Sequence, residues 1–298
     1  MVSIKKRVGV ISLLVICLAF VSYVYLKKDV NSETADDVYL KTVVFKDKDN
    51  DLIPISVNFH SQVDVEEDIM NRMNLMKSNE LINYGLYPVF NENLEVLSID
   101  IQDHILTLNF NDELYAHMDG MDIIETLAYT MTDYDEVNQL FIQIEGKDIS
   151  YLPNSQIPVL ALNENLGLNN FEETTTLLHQ TIPVMTYREK YVNQYSYYVP
   201  TTLRIDENAS LNQQVKTILS YVESKIHLLD SSLNDGVLTV KLDSNILLDN
   251  ERIDKTLEDL IVLSLCSLKG VEDVEIMING EDVISQTSSQ IEYNYIKI

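Results

Sequence analysis

An internal repeat constrains this chain more than any other feature. The stretch Val137-Asn-Gln-Leu-Phe-Ile-Gln-Ile-Glu-Gly-Lys-Asp-Ile149 aligns without a gap on Val271-Glu-Asp-Val-Glu-Ile-Met-Ile-Asn-Gly-Glu-Asp-Val283. In both, Leu140, Ile142, Ile144 and Val274, Ile276, Ile278 alternate with polar or outward positions, the period of a strand with one buried face. Gly146 and Gly280 mark the turn that follows. Upstream, Ile105-Leu-Thr-Leu-Asn-Phe110 pairs with Val237-Leu-Thr-Val-Lys-Leu242. A fold that uses one pattern twice is built from two copies of one small unit, each with its own core.

Between those strands the apolar positions change to helical spacing: Ile123, Ile124, Leu127, Met131 and Tyr134 in the first copy, Ile253, Leu257, Leu260, Ile261, Ser264 and Leu268 in the second. An earlier helix is predicted on Val65, Ile69, Met73 and Met76, and again on Leu211, Val215, Ile218 and Val222. Extended chain bearing Pro54 or Pro200 precedes it. Leu97, Ile99 and Ile101 form a strand that turns at Gln102-Asp103-His104 into the next one. The expected order is β, α, β, β, α, β, and the fold class is α/β (α+β). It comprises two similar small domains, each a mixed sheet with two helices.

The predicted boundaries are 38–149 for the first domain, 150–182 for a breaker-rich linker, 183–285 for the second domain and 286–298 for a tail. In the tail Ile291, Tyr293 and Tyr295 alternate with polar residues and suit an edge strand. Residues 1–28 read as a membrane anchor. Val8–Leu26 carries no charge and follows Lys5, Lys6 and Arg7, enough for one helix across roughly 30 Å of hydrocarbon with a cytoplasmic N-terminus. Ile16 before Cys17 and the absence of a small-residue cleavage site favour a retained single-pass anchor over a lipoprotein or secreted chain. Residues 29–37 form a polar spacer, and the rest is expected to be extracytoplasmic.

Charge narrows the partners. All 47 acids lie after Lys28, against 16 of the 21 Lys and Arg, so residues 29–298 carry a formal −31. That sign disfavours nucleic acid and anionic lipid and permits a basic protein. Catalytic signals are weak. His60, His104, His117, His179 and His227 are scattered without metal-ligand spacing, Cys17 and Cys266 cannot usefully pair, and no nucleophile elbow or phosphate loop appears. Asp47-Lys-Asp-Asn-Asp51 imitates the opening of a calcium loop, but Leu52 stands where glycine is required and Asn58 where a bidentate glutamate is required. A hairpin tip is the plainer reading. We therefore expect no metal and no cofactor.

Gly85-Leu-Tyr-Pro88, the strand pair Leu94–Ile101 and Ile105–Phe110, and the closing Ile142-Gln-Ile-Glu-Gly146 together resemble the GerMN domain of sporulation and spore-germination proteins. The second copy matches through Asp235–Leu242 and Val274–Gly280. Three departures stand out: Met76-Lys-Ser-Asn-Glu80 replaces a glycine-rich stretch, the second copy has no counterpart to Gly85–Pro88, and the transmembrane anchor replaces a clean lipid-attachment cysteine. The resemblance implies a non-catalytic scaffold or adaptor in the spore envelope, with envelope or sporulation proteins as partners. A sensor of small ligands or an enzyme acting on cell wall is the alternative. Tyr191, Tyr195, Tyr197 and Tyr198, with Tyr187, crowd a long hairpin opening the second domain and suit an interface to a partner or a neighbouring copy. Ordinary cross-strand packing accommodates the same residues.

Overall fold

A computed structural model describes residues 39–59, 64–116, 120–152, 157–159, 162–171, 180–248, 252–278, 281–287, 291 and 293–297. The anchor at 8–26, the spacer at 29–37, Cys17, Gly280 and the histidines at 60, 117 and 179 lie outside the described residues. Lys41–Val57 and Asp64–Ile298 belong to one compact unit, and the contacts below fall within it.

The first copy runs β1 (Tyr39–Lys46), β2 (Leu52–Phe59), α1 (Val65–Met76), β3 (Val96–Gln102), β4 (Ile105–Phe110), α2 (Asp122–Met131), β5 (Gln139–Ile144) and β6 (Lys147–Asp148). The second runs β7 (Thr181–Val192), β8 (Tyr195–Asp206), α3 (Leu211–Val222), β9 (Leu228–Asn234), β10 (Val237–Leu242), α4 (Lys255–Leu265), β11 (Asp273–Ile278) and β12 (Glu281–Thr287). A short β13 (Tyr295–Ile296) follows.

Each copy therefore has two strands more than the six predicted elements. The extended chain around Pro54 folds back on itself through the Asp47–Asp51 turn, and the turn after the closing strand leads into one more antiparallel strand. The two main sheets have the same order, β3-β4-β5-β6 and β9-β10-β11-β12, with a central parallel pair and antiparallel flanks. A helix must cross over between parallel neighbours, which is why α2 and α4 sit between β4 and β5 and between β10 and β11.

The alternation read from sequence holds in detail. Leu106, Leu108, Phe110, Leu140, Ile142 and Ile144 are buried, and Thr107, Asn109, Phe141 and Gln143 are only partly covered. Leu238, Val240, Leu242, Val274, Ile276 and Ile278 repeat this in the second core, where they meet Val215, Ile218, Ile261 and Leu265 from the helices. Asp103 and His104 both have positive φ, 51° and 64°, as do Asp235 and Gly236 at 49° and 82°, so both hairpins turn through two left-handed residues that match strand twist. Asp64 caps α1 by accepting from Glu67 N–H, and Ser210 with Gln213 forms a reciprocal cap on α3.

The tail does form a strand, in an unexpected place. β13 pairs in parallel with Ser56 and Val57 of β2, so the C-terminal segment joins the opening hairpin of the first copy. The segment between the copies is also packed. Leu162 exchanges backbone bonds with Leu140, and Leu166 and Leu168 are buried.

Candidate functional site

Among the described residues, the two opening hairpins carry the most elaborate side-chain chemistry. In β7 and β8 the pairing is Lys190 with Tyr197 and Val192 with Tyr195, alternating with Glu189–Tyr198 and Tyr191–Ser196. Cross-strand partners share a face, so this register divides the tyrosines into two sets.

One set faces the first copy. Tyr195 lies against the ring of Tyr84 at 4.9 Å between centroids, and the buried Tyr197 donates its hydroxyl to the Tyr84 carbonyl. Val192 comes so close to Gly85 that a Cβ there would fall 2.4 Å from its Cγ1, and φ at Gly85 is 78°. Glycine is required at that position on both counts. The other set faces the second copy. Tyr187 N–H donates to Ser264 Oγ, Tyr198 hydroxyl donates to Asp259, and Tyr198 stacks on Tyr293 from the tail. Tyr191 is 70% exposed. Three of the four candidate interface tyrosines thus pack on other elements of the chain, and Tyr191, bonded to Glu189 of its own strand, presents most of its surface to solvent.

Lys190 enters the Asp47–Asp51 turn of the first hairpin. Its ammonium meets Asp47, Asp49 at 3.0 Å and Asp51 at 2.5 Å, and Arg188 also reaches Asp51. Asp47 Oδ1 meanwhile accepts from the N–H groups of Asp49 and Asp51. The carboxylates that imitate a calcium loop converge on a lysine of the second copy. Burial pushes the Asp51 carboxyl up, but bonds and charge from Lys190 and Arg188 outweigh it and hold it below the usual range. The same carboxylates hold the Lys190 ammonium above its ordinary value against the opposing effect of burial.

Two asparagines complete the junction in matching ways. Asn169 accepts from Leu52 N–H and donates to the Leu52 and Pro200 carbonyls, at 2.8, 2.7 and 2.8 Å. Asn294 accepts from Tyr198 N–H and donates to the Tyr198 and Pro54 carbonyls, each at 2.8 Å. Leu52 and Tyr198 stand two residues before Pro54 and Pro200. Each asparagine therefore grips one strand at a residue's N–H and C=O and reaches the proline carbonyl of the other copy. Both adopt positive φ, 48° and 52°, which asparagine tolerates better than most residues. Beside Asn169, Thr202 and Leu168 exchange bonds, and a Cβ on Gly167 would lie 2.1 Å from Thr202 Oγ1.

A cavity of about 390 Å³ lies at the same junction, lined in part by Thr42, Tyr129, Asp133, Asn165, Met185 and Ser267. The hydroxyls of Tyr129, Tyr187 and Tyr293 are linked nearby, and burial raises all three above the ordinary tyrosine value. Asp133 is held by Arg72. Among the described residues no group of three or more His, Cys, Asp or Glu is placed to hold a metal. His104 contacts the Glu136 carbonyl and His227 contacts Asp243. Lys190, Asn169 and Asn294 were not singled out in the sequence; the paired prolines were its one hint of the shared geometry.

Fold and junction define a class, a tandem α/β protein whose two copies are joined through their opening hairpins. The chain belongs to the Germane family, sporulation and spore germination, whose model matches residues 26–150 and 185–284. It is 23% identical over 224 residues to the spore germination protein GerM of Bacillus subtilis (strain 168), covering 68% of this chain and 61% of that relative's length. Among solved structures, the tandem GerMN domains of the sporulation protein GerM from Bacillus subtilis superpose with a TM-score of 0.68 at 19% identity. That match covers 82% of this chain and 92% of the other. The tandem GerMN fold is thereby established.

Proposed function

We propose that this protein is a non-catalytic, membrane-anchored scaffold on the extracytoplasmic side of the cell membrane, holding envelope proteins in place during sporulation or germination. The observation that carries the reading is the junction. Hairpin faces, the Lys190 cage and the two asparagine clamps fix one copy against the other, as a part that presents two surfaces at a set spacing requires. Membership of a sporulation and germination family supports the process. Val8–Leu26 supports the anchor, and the acidic chain supports protein partners rather than nucleic acid.

Tyr191 is the remaining candidate for a contact with a partner or neighbouring copy, since its ring is large, amphipathic and open. The cavity at the junction favours one second reading, a sensor whose ligand sits between the copies. Deleting the gene and restoring either wild type or an Asn169→Ala/Asn294→Ala variant separates them. The scaffold reading expects spore formation or germination to fail in the deletion and in the variant alike, with the complex lost from cross-linked membranes. Normal spores and germination in the deletion would refute it.

A further inference from the structure

The two sheets repeat one another, and their outer strands differ in how they are guarded. An unguarded edge accepts another strand, so proteins usually shorten such edges or place lysines on them. β6 has two residues and carries Lys147. β9 is occupied locally: Ser231 N–H donates to Asp230 Oδ1, Ser231 Oγ meets Asn212, and Asp230 pairs with Lys241. β3 has none of these devices. It ends its sheet, has neither Lys nor Pro, and among the described residues its backbone bonds only to β4. A bulge near Leu97 interrupts its upper end and leaves Ser98–Gln102 as a regular open ladder.

The register also sets the side chains beside that ladder. Ile99 and Ile101 pair with the buried Leu108 and Leu106 and are themselves only partly covered, while Asp100 pairs with Thr107 on the opposite face. An added strand would lay apolar residues beside the isoleucines and its alternate residues beside Asp100. Glu95, Asp100 and Asp103 are all exposed along this edge. From Ser78 to Gly146 the chain contains no Lys or Arg, whereas in the second copy Lys225 stands just before the equivalent strand and Lys241 pairs with Asp230 on it.

We propose that β3 is a strand-addition site for an extended segment of another protein in which Lys or Arg alternates with apolar residues. Main-chain bonds to Ser98–Gln102 supply the affinity, and the acidic rim supplies selectivity for a cationic strand. The site names a partner chemistry that the scaffold reading leaves open, and it stands without that reading: strand addition concerns β3 whether or not the complex serves sporulation.

The test uses the full-length protein in detergent and a fluorescein-labelled nine-residue peptide of alternating lysine and valine. Binding is read by anisotropy and located by amide hydrogen exchange. The peptide should slow exchange in Ser98–Gln102 by about tenfold or more, and Glu95→Lys/Asp100→Lys should weaken binding by about tenfold. A peptide of equal charge N-methylated at its valines should bind at least about tenfold more weakly, because it cannot complete the ladder. No protection at Ser98–Gln102, protection on β9 instead, or equal binding of the N-methylated or glutamate–valine peptide would overturn the proposal. A failed complex in cells with intact strand addition would count against the scaffold reading alone.

Discussion

The two domains share a fold and solve the space beneath their first helix differently. In the first, Arg72 on α1 is fully buried. It bonds Asp133 and the Thr130 carbonyl at 2.8 Å, lies 3.2 Å from Asp68, and sits over the Tyr134 ring, whose hydroxyl donates to Asp68. Aligning Val65 with Leu211 and Val137 with Val271 puts Ile218 at the position of Arg72, Gln214 at Asp68, Ser267 at Asp133 and Leu268 at Tyr134. Ile218 and Leu268 are buried in an apolar cluster. One backbone thus accepts either an ion network around a fully buried arginine or an aliphatic core. Buried ion pairs are costly to desolvate and costlier to break, so the first domain has the more brittle solution and the second the more tolerant one.

That contrast breaks most sharply at Arg72. Arg72→Ile alone leaves Asp68 and Asp133 without their shared cation and should cost roughly 3–5 kcal/mol, measured by chemical denaturation. Adding Asp68→Gln, Asp133→Ser and Tyr134→Leu, the residues of the second copy, should recover most of the loss. If the single change proves as mild as the fourfold one, the network does not matter as described.

The junction comes next in size. Lys190→Met strands Asp47, whose side chain is fully buried, and should cost about 2–4 kcal/mol. Arg188→Ala, at a side chain 45% exposed, should cost under about 1 kcal/mol. Equal losses would show that the cage is an ordinary surface cluster.

Asn169→Ala and Asn294→Ala each remove three hydrogen bonds to backbone and should each cost about 1–3 kcal/mol. Their matched geometry requires similar values. A large effect at one position with none at the other would end the equivalence of the two clamps.

Acid should act on the junction as well. Asp51 titrates below its ordinary 3.8, so its contribution is complete above that value and is lost as pH falls through the lower folded value. Asp51→Asn should therefore flatten the acid limb of the stability curve below the ordinary carboxyl value of 3.8 and lower stability at neutral pH. The smallest effect belongs to Tyr191→Ala, expected within about 0.5 kcal/mol because its ring is mostly in water. A clear loss of stability there would place the ring in the fold, leaving less reason to assign it a partner.

The strands and helices were legible because burial on one face imposes periods of 2 and 3.6 on apolar residues, as in Leu106–Phe110 and Val215–Leu219. The opening strand pair around Pro54 was harder to read, since its buried run from Leu52 to Ile55 does not alternate. β13 was readable as a strand and not as a partner of β2: two residues carry no register, and a pairing across more than two hundred residues leaves no local trace. Separations of 139 residues between Lys190 and Asp51, 117 between Asn169 and Leu52 and 240 between Asn294 and Pro54 hid the Lys190 cage and both asparagine clamps in the same way. Asn169 stands among the breakers of the linker and Asn294 among the polar residues that alternate in the tail, and the carbonyls they reach have no sequence signature. The tyrosines were visible as a cluster; dividing them between two faces needed the register set by the Asn193–Gln194 turn.

Lys190, Asn169 and Asn294 lock the two copies into one body through their hairpins. Pulse-labelled hydrogen exchange of the full-length protein across a denaturant series, read separately on β4–β5 and on β10–β11, tests it most directly. Both sheets should lose protection at one denaturant concentration in the wild type and separate into two transitions in Lys190→Met/Asn169→Ala/Asn294→Ala. Two well-separated transitions in the wild type, or coincident ones in the triple variant, would contradict it.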